Sequence, residues 1–446
     1  MGKFLESEKI NQIRFKAKSN TIAPAARTDG IYKGKPRSFC LPVAFADQNL
    51  FPPIRKPALE FFAECNIKWH DGKNGKPSNH LCDSQVSCVN FLFPFADKPQ
   101  ELAKLLRLVF PHIKEMLPVE AGYFVSFEWI GGKNYLGERT NNKNNRTRGA
   151  HYTSADAIAR FERDDGKTQV VLIEWKYTES YSKNFKRNSK SGTDRGKIYQ
   201  HLFDAIDCPI KKKILPDYDA LFYEPFYQMM RQQFLAHEME KANELEADIV
   251  SLLHIAPARN NDFARVTSPK LTTLGNTATE VWYNLVKPKG RFVSIHTESL
   301  FREFYSPTMD SWKVYMQARY PWLIERPKLS AAIAQTQPPV NEKFTNKWSE
   351  GIVDKKQEHI KIWYKEEQQP AAIVTKTKEE GIVVQFFTDE STNPGVKERI
   401  IRDLNFYFNE LNKQDPWAYA IYHCSTSANM YSNVRWGYFP KGWQPK

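Results

Sequence analysis

The sequence predicts an α/β fold in which a mixed β-sheet is flanked by helices. Two observations predict it: apolar residues recur at helical spacing in some segments, and short apolar runs of strand length lie between them. Strands mixed with helices in this way form a sheet covered by helical layers. In chain order, the predicted elements are a helix at 100–117, a strand at 123–130, a hairpin at 154–176, helices at 198–206 and 223–245, strands at 247–256 and 292–295, and a helix at 299–305.

The predicted helices depend on the spacing of their apolar residues. Leu102, Leu105 and Ile113 recur at helical spacing, which indicates a helix with one apolar face. The helix at 223–245 has aromatic and methionine side chains on one face and Lys and Glu on the other. Residues 247–256 form an apolar run that is typical of a buried strand.

Composition favours a protein of two or three domains that binds polyanions. The chain has 446 residues and a formal net charge of +13, from 64 Lys and Arg against 51 Asp and Glu. No stretch approaches the ~20 apolar residues of a membrane span, and residues 1–8 lack the apolar core of a secretory signal, so we expect a cytoplasmic protein without membrane contact. The six cysteines are scattered, and those between 65 and 88 favour buried thiols over a zinc site, which usually has closely paired ligands.

The hairpin at 154–176 carries charged residues at the end of an apolar strand. Residues 170–176 read Val-Val-Leu-Ile-Glu-Trp-Lys, so Glu174 and Lys176 share one face of the strand. An acid and an amine at the end of a buried strand are costly unless they are paired or hold a metal ion. The segment therefore requires a chemical explanation.

The loop of this hairpin decides which residues face each other. Asp164-Asp165-Gly166 suits a three-residue loop that ends with glycine in the left-handed region. Such a loop sets Asp156 opposite Glu174, with Cβ atoms about 5 Å apart, whereas a two-residue Asp-Gly turn would set Asp156 opposite Trp175. Two carboxylates this close repel each other unless a divalent cation lies between them, and oxygen ligands favour Mg²⁺ or Mn²⁺. The alternative is a surface hairpin whose charged residues form ordinary ion pairs.

These residues resemble the signature of the PD-(D/E)XK nuclease superfamily, an Asp on one strand and Glu-x-Lys on the next. Asp156 and Glu174-Trp175-Lys176 fit this pattern, although no clear proline precedes Asp156. The chain is also similar to a bacterial restriction-endonuclease-like group across roughly residues 60–320. The similar segments are 79–81, 84–85, 90–91, 148–150, 153–157, 172–181, 225–228 and 231–232.

The resemblance implies a restriction-endonuclease-like core that hydrolyses phosphodiester bonds at the end of the hairpin. Asp156 and Glu174 would hold Mg²⁺ or Mn²⁺, with the backbone carbonyl of Trp175 as a further ligand. Lys176 would position the attacking water and offset the negative charge that develops on the phosphate.

A further acid and several basic residues are predicted around this centre. Superfamily members often carry another acid on the preceding helix or strand, for which Glu128 is preferred over Glu101, Glu115 and Glu138. Segment 183–197 is basic and contains glycine, which suits a loop that binds phosphates, although a solvated loop would have the same composition. The predicted nucleic-acid-binding residues are Arg148, Lys183, Lys186, Arg187, Lys190 and Arg195.

Four segments are predicted along the chain. Residues 1–95 form an N-terminal extension that packs on the core, residues 96–325 the nuclease domain, residues 326–343 a linker, and residues 344–446 a small α+β domain of unknown role. In the last segment, the predicted elements are strands at 360–364, 371–375, 381–388 and 417–424 and a helix at 396–412.

Together, these observations predict a Mg²⁺-dependent endonuclease that cleaves DNA, in a setting of defence against foreign DNA. The alternatives are a nuclease of the same fold that cleaves RNA, and a nucleic-acid-binding protein of this fold that does not cleave. The complete set of Asp156, Glu174 and Lys176 argues against the last, because binding alone does not require a carboxylate pair beside a lysine. Cutting two strands often needs two active sites, so we expect a homo-oligomer, and a partner protein from a defence system is a further expectation.

Overall fold

The computed structural model describes residues 2–138, 146–150, 152–189, 192–302 and 304–324, together with five strands after residue 356. The chain divides into two compact units, Met1–Arg326 and Pro327–Lys446. None of the described helices is both long enough and apolar enough to cross a membrane.

The described residues of the first unit form helices α1 to α10 and strands β1 to β8. The N-terminal elements are α1 (Lys3–Lys18), β1 (Gly30–Tyr32), β2 (Lys35–Arg37), α2 (Arg55–Glu64), α3 (Ser84–Leu92) and α4 (Pro99–Leu106). The central elements are β3 (Ile113–Leu117), β4 (Val125–Trp129), β5 (Ala155–Arg163), β6 (Thr168–Trp175), α5 (Arg195–Asp204) and α6 (Phe226–Lys241). The remaining elements are β7 (Ile249–Ala256), α7 (Asn261–Ala264), α8 (Ala278–Leu285), β8 (Phe292–His296), α9 (Thr297–Phe301) and α10 (Asp310–Arg319).

Six strands form a mixed sheet in this unit. The strand order is β3-β5-β6-β7-β8, and β4 also pairs with β5. β5 is antiparallel to β3, β4 and β6, whereas β6, β7 and β8 are parallel. The start of β5 and the end of β6 therefore lie at the same edge of the sheet.

Helices cover both faces of the sheet, which confirms the predicted fold class. On one face, Val171, Ile173 and Trp175 of β6 belong to an apolar core with residues of α1, α2, α3, α4, α9 and α10. On the other face, Val170 and Leu172 belong to a core with residues of α5, α6 and α8. A strand that is apolar on both faces is what a sheet between two helical layers requires.

The prediction of one helix at 100–117 is wrong. α4 ends at Leu106, and Ile113–Leu117 is strand β3, paired with β5. Pro111 lies between the two elements, where it lacks an N–H and disfavours helical backbone at the residue before it. Ile113 is buried, as the helical spacing predicts, but it is buried as a strand residue.

The described residues of the second unit form five strands. These are β9 (Gln357–Ile362), β10 (Ala372–Thr377), β11 (Gly381–Phe386), β12 (Ala418–Ile421) and β13 (Trp436–Phe439). β10 pairs antiparallel with β9 and β11, and β12 pairs antiparallel with β13. The first four overlap the predicted strands, and the sequence pattern does not predict β13. The predicted linker at 326–343 and helix at 396–412 lie outside the described residues.

Candidate active site

The β5–β6 hairpin has the register that its loop sequence predicts. The backbone N–H of Arg163 donates to the carbonyl oxygen of Lys167 over 2.9 Å, and Gly166 has a φ of 78°. A left-handed backbone at this position favours glycine. The observed Cα partners run from Glu162 opposite Thr168 to Ala157 opposite Ile173, and the same register extended by one residue sets Asp156 opposite Glu174.

Asp156 lies where the paired part of the hairpin ends. Its Oδ2 accepts the backbone N–H of Trp175 over 2.7 Å, which fixes the carboxylate against β6. Its Oδ1 accepts no hydrogen bond from the described residues, and the side chain is half-buried. One oxygen of Asp156 is therefore available to a ligand.

Glu174 and Lys176 are held by α6, which covers their face of the sheet. Both residues are buried, with 1% and 5% of their surface exposed. Lys176 Nζ donates to Glu174 Oε1 and, over 2.9 Å, to Gln228 Oε1. Gln232 Nε2 donates to Glu174 Oε2. Because Gln228 and Gln232 are one helical turn apart, a single face of α6 orients both the acid and the lysine.

Glu128 is the third acid beside this pair. The β4–β5 register sets it opposite Asp156, and it is buried. Gln85 Nε2 donates to its Oε1 over 2.7 Å, and Ser154 Oγ donates to its Oε2 over 2.9 Å. Its φ of 50° is a left-handed conformation that glutamate rarely adopts. Backbone strain of this kind costs about 1–3 kcal/mol and is concentrated at functional sites.

Three carboxylates and one ammonium group give this acidic cluster (Glu128, Asp156, Glu174 and Lys176) an excess of negative charge. Burial and the charge of Glu174 raise the pKa of Asp156 well above its ordinary value, against the opposing effect of Lys176. Burial, with a contribution from Glu174, also raises the pKa of Glu128. Burial alone would lower the pKa of Lys176, but the surrounding acids, Glu174 first, hold it well above its ordinary value. A bound cation would relieve the repulsion among the acids.

The side-chain donors of the cluster fit Mg²⁺ or Mn²⁺ in kind, because they are carboxylate oxygens. In the described part of the chain, however, no three Asp, Glu, His or Cys side chains converge into a complete metal-binding set. Mg²⁺ often takes only one or two protein carboxylates and completes its shell with water and phosphate oxygens. Asp156 Oδ1 could bind such an ion directly, whereas Glu174 would first have to release Lys176 or Gln232. Coordination by the Trp175 carbonyl stays a prediction.

Two of the predicted phosphate-binding arginines are paired with acids within the fold. Arg148 Nη1 lies 2.7 Å from Glu120 Oε1, and its guanidinium is mostly buried. Arg187 lies between Asp194, at 3.2 Å, and Asp219. Each arginine therefore stabilises a loop, and contact of either with nucleic acid stays a prediction.

The other predicted phosphate-binding residues lie in segment 183–197. Lys183 is exposed and Lys186 is half-buried, whereas Lys190 lies outside the described residues. Arg195 donates to the backbone carbonyl of Lys186 over 2.9 Å, and its guanidinium lies 5.7 Å from the ring centre of Tyr227. The contact with Tyr227 places Arg195 against the first turn of α6.

Gln85, Gln228 and Gln232 orient the acidic cluster. All three lie in the segments that are similar to the restriction-endonuclease-like group, but the resemblance assigns them no role. Gln85 and Gln232 are buried, with 8% and 0% of their surface exposed. Their signal in the sequence is a glutamine on the apolar face of a helix, where burial without a partner would be costly. That signal becomes specific only when the partner carboxylates are known.

Glu138, an alternative candidate for the third acid, has a different place. It accepts the backbone N–H of Thr153 over 2.8 Å and the hydroxyl of Tyr199 over 2.7 Å. These contacts fix the segment that leads into Asp156. Of the four candidate acids, Glu128 is the one that the structure sets opposite Asp156.

The raised pKa of Asp156 predicts a pH-dependent stability difference between metal-free wild type and the Asp156→Asn variant. Below the ordinary aspartate pKa of ~3.9, the carboxyl is protonated in both the folded and the unfolded chain. As the pH rises towards the higher pKa of the folded state, wild type loses stability relative to the variant. Thermal unfolding in EDTA should therefore show the melting temperature of the variant rising relative to that of wild type as the pH increases from 4 to 8.

Asp165→Asn is the control for this measurement. Hydrogen bonds from Arg163 lower the pKa of exposed Asp165 to about 2, so this carboxylate is ionised in both states above pH 5. Its difference from wild type should stay constant between pH 5 and 8. A flat profile for Asp156→Asn over the whole range would show that the folded state, through burial and the charge of Glu174, does not raise the pKa of this carboxyl.

Comparison with known proteins identifies the family. A family model described as "Restriction Endonuclease associating with ARP" matches residues 9–321, more than two thirds of the chain. No curated protein and no solved structure matches. The matched residues include all six strands of the central sheet and the whole acidic cluster. The chain belongs to the family of restriction endonucleases associating with ARP.

Proposed function

We propose that this protein is a Mg²⁺- or Mn²⁺-dependent endonuclease that hydrolyses phosphodiester bonds in DNA. The observation that carries the proposal is the acidic cluster at one edge of the sheet, in which Asp156 faces Glu174 and Lys176 is buried beside them. The excess negative charge of the cluster supports a cation. Membership of a restriction endonuclease family supports nuclease chemistry, and DNA is the substrate of that class.

Each residue of the acidic cluster has a separate proposed role in hydrolysis. Asp156 and Glu174, with the Trp175 carbonyl, would hold the metal ion. A bound Mg²⁺ ion would make water a better nucleophile near neutral pH and offset charge on the phosphoryl oxygens. Lys176, held by Gln228, would orient the attacking water through Nζ and stabilise the negative charge that develops on the phosphate. Glu128 would add negative charge that favours the cation.

We also propose a cellular role and a partner for this protein. The family description names an association with ARP, and a restriction endonuclease acts on foreign DNA, so we propose a cytoplasmic defence role with ARP as the partner protein. A homo-oligomer would supply the two active sites that cutting both strands requires.

The test is cleavage of labelled duplex DNA and RNA by purified wild type with Mg²⁺, with Mn²⁺ and with EDTA. We expect metal-dependent cleavage of DNA, with RNA left intact. The Asp156→Ala variant, which removes a proposed metal ligand, is the control for a contaminating nuclease and should be inactive. Equal cleavage by both proteins, or none by wild type on either substrate, would contradict the enzyme proposal, and cleavage of RNA alone would change the substrate.

A further inference from the structure

A group of five lysines lies on two adjacent segments at the far end of α5 and α6. The segments are joined by the bridge between Ile210 and Val286 and by two backbone hydrogen bonds of 2.7 and 2.8 Å. We call this group the lysine ridge. It consists of Lys211, Lys212, Lys213, Lys287 and Lys289, of which all but half-buried Lys211 are exposed.

Within the described part of the chain, no acidic side chain neutralises the charge of the lysine ridge. Lys211 Nζ donates to the carbonyl of Asn284 over 2.9 Å, and Lys212 Nζ donates to the carbonyl of Asp204 over 3.2 Å. Among the described residues, none of the five lysines forms an ion pair. Burial and the charge of Lys289 lower the pKa of Lys211, as expected for ammonium groups held close together. The nearby acid Asp207 is already paired with Lys241 and His237.

α6 connects the lysine ridge with the acidic cluster. Gln232 contacts Glu174, and nine residues further along the helix Lys241 pairs with Asp207 over 3.0 Å, just before the ridge. At 1.5 Å per residue, this part of the helix spans about 14 Å. That length corresponds to about four base pairs of duplex DNA at 3.4 Å each.

We infer that the lysine ridge binds the phosphate backbone of duplex DNA a few base pairs from the cleavage site. This inference rests on the proposed function. Lysine is a mobile point charge, which suits phosphate contacts that do not depend on sequence. The part of α6 between Gln232 and Lys241, about 14 Å long, is shorter than one turn of a duplex, so one duplex is long enough to reach from the cluster past the end of α6 to the ridge. Two exposed apolar side chains, Ile206 and Tyr283, lie beside the ridge. Because apolar and basic groups together also suit an acidic protein, the experiment is designed to distinguish binding of such a protein from binding of DNA.

The test compares two triple variants with the same loss of charge, both carrying Asp156→Asn to prevent cleavage. Lys211, Lys213 and Lys289 are replaced by Gln in the ridge variant. In the control variant, Gln replaces Lys18, Lys35 and Lys73, exposed residues of the N-terminal region. That region packs on the opposite face of the sheet. Binding of a fluorescent 30-base-pair duplex is measured by anisotropy at several salt concentrations.

The ridge variant should bind the duplex at least tenfold more weakly than the parent at low salt. The slope of log K against log[salt] should be shallower by about 2 to 3, because each phosphate contact contributes about 0.9. The control variant should stay within twofold of the parent. Equal affinity of the two triple variants would overturn the inference. So would unchanged DNA affinity with an altered mass in light scattering, which would indicate a protein contact. If the ridge variant binds DNA more weakly but wild type cleaves nothing with any metal, the proposed function is wrong, whereas the inference that the ridge binds DNA is supported.

Discussion

Replacing Lys176 with methionine should lower the rate of DNA cleavage at saturating Mg²⁺ by at least ~10³-fold, equivalent to about 4 kcal/mol of transition-state stabilisation. Lys176 is the only cation of the acidic cluster among the described residues, and its Nζ is fixed by Glu174 and Gln228. No other side chain there can offset charge on the phosphate. Single-turnover cleavage of a labelled duplex measures the loss, and anisotropy should show that DNA still binds.

The methionine variant also leaves the buried Glu174 carboxylate without its ion-pair partner, which can destabilise the fold by about 3–5 kcal/mol. Lys176→Arg is the matched variant, because it keeps a positive charge beside Glu174. It should stay folded, yet cleave much more slowly than wild type, since a planar guanidinium does not reproduce the position of an ammonium group. Wild-type rates in a folded Lys176→Arg or Lys176→Met variant would remove Lys176 from the mechanism.

The hairpin could be predicted from the sequence because its information is local. Three adjacent residues, Asp164-Asp165-Gly166, decide the turn, the turn decides the register, and the register sets Asp156 opposite Glu174. Prediction from the spacing of apolar residues, by contrast, fails at 100–117. There, one proline divides a helix from a strand while the apolar residues keep a spacing that fits either element.

The partners of the acidic cluster could not be predicted in this way, because they come from distant elements. Gln232 contacts Glu174 from α6, 58 residues along the chain, and Gln85 contacts Glu128 from α3. Each glutamine is meaningful only after the fold brings it to a carboxylate. The left-handed backbone of Glu128 could not be predicted from the sequence either, since glutamate has no preference for this conformation.

Arg319→Met should destabilise the first unit by about 3–5 kcal/mol, because Arg319 is fully buried and its removal leaves several buried oxygens without a hydrogen-bond donor. Its guanidinium donates to the backbone carbonyls of Asn49 and Leu81 and to the side chain of Gln12 on α1. These hydrogen bonds therefore connect α10 to three N-terminal segments. Methionine fills a similar volume but leaves these acceptors without donors, and each unsatisfied buried group costs about 1–3 kcal/mol. Urea unfolding followed by tryptophan fluorescence measures the loss.

Arg265→Met is the control for this change of charge and shape. Arg265 is 68% exposed and pairs with Asp262 at 3.4 Å, and an ion pair of this kind contributes only about 0–1 kcal/mol. Equal unfolding midpoints for the two variants would show that Arg319 does not hold the N-terminal segments in place. A large loss at Arg319 alone would show that its hydrogen bonds to α1 and to the segments around Asn49 and Leu81 stabilise the first unit. The acidic cluster would then depend on the N-terminal region for its support, including Gln85 on α3, which holds Glu128.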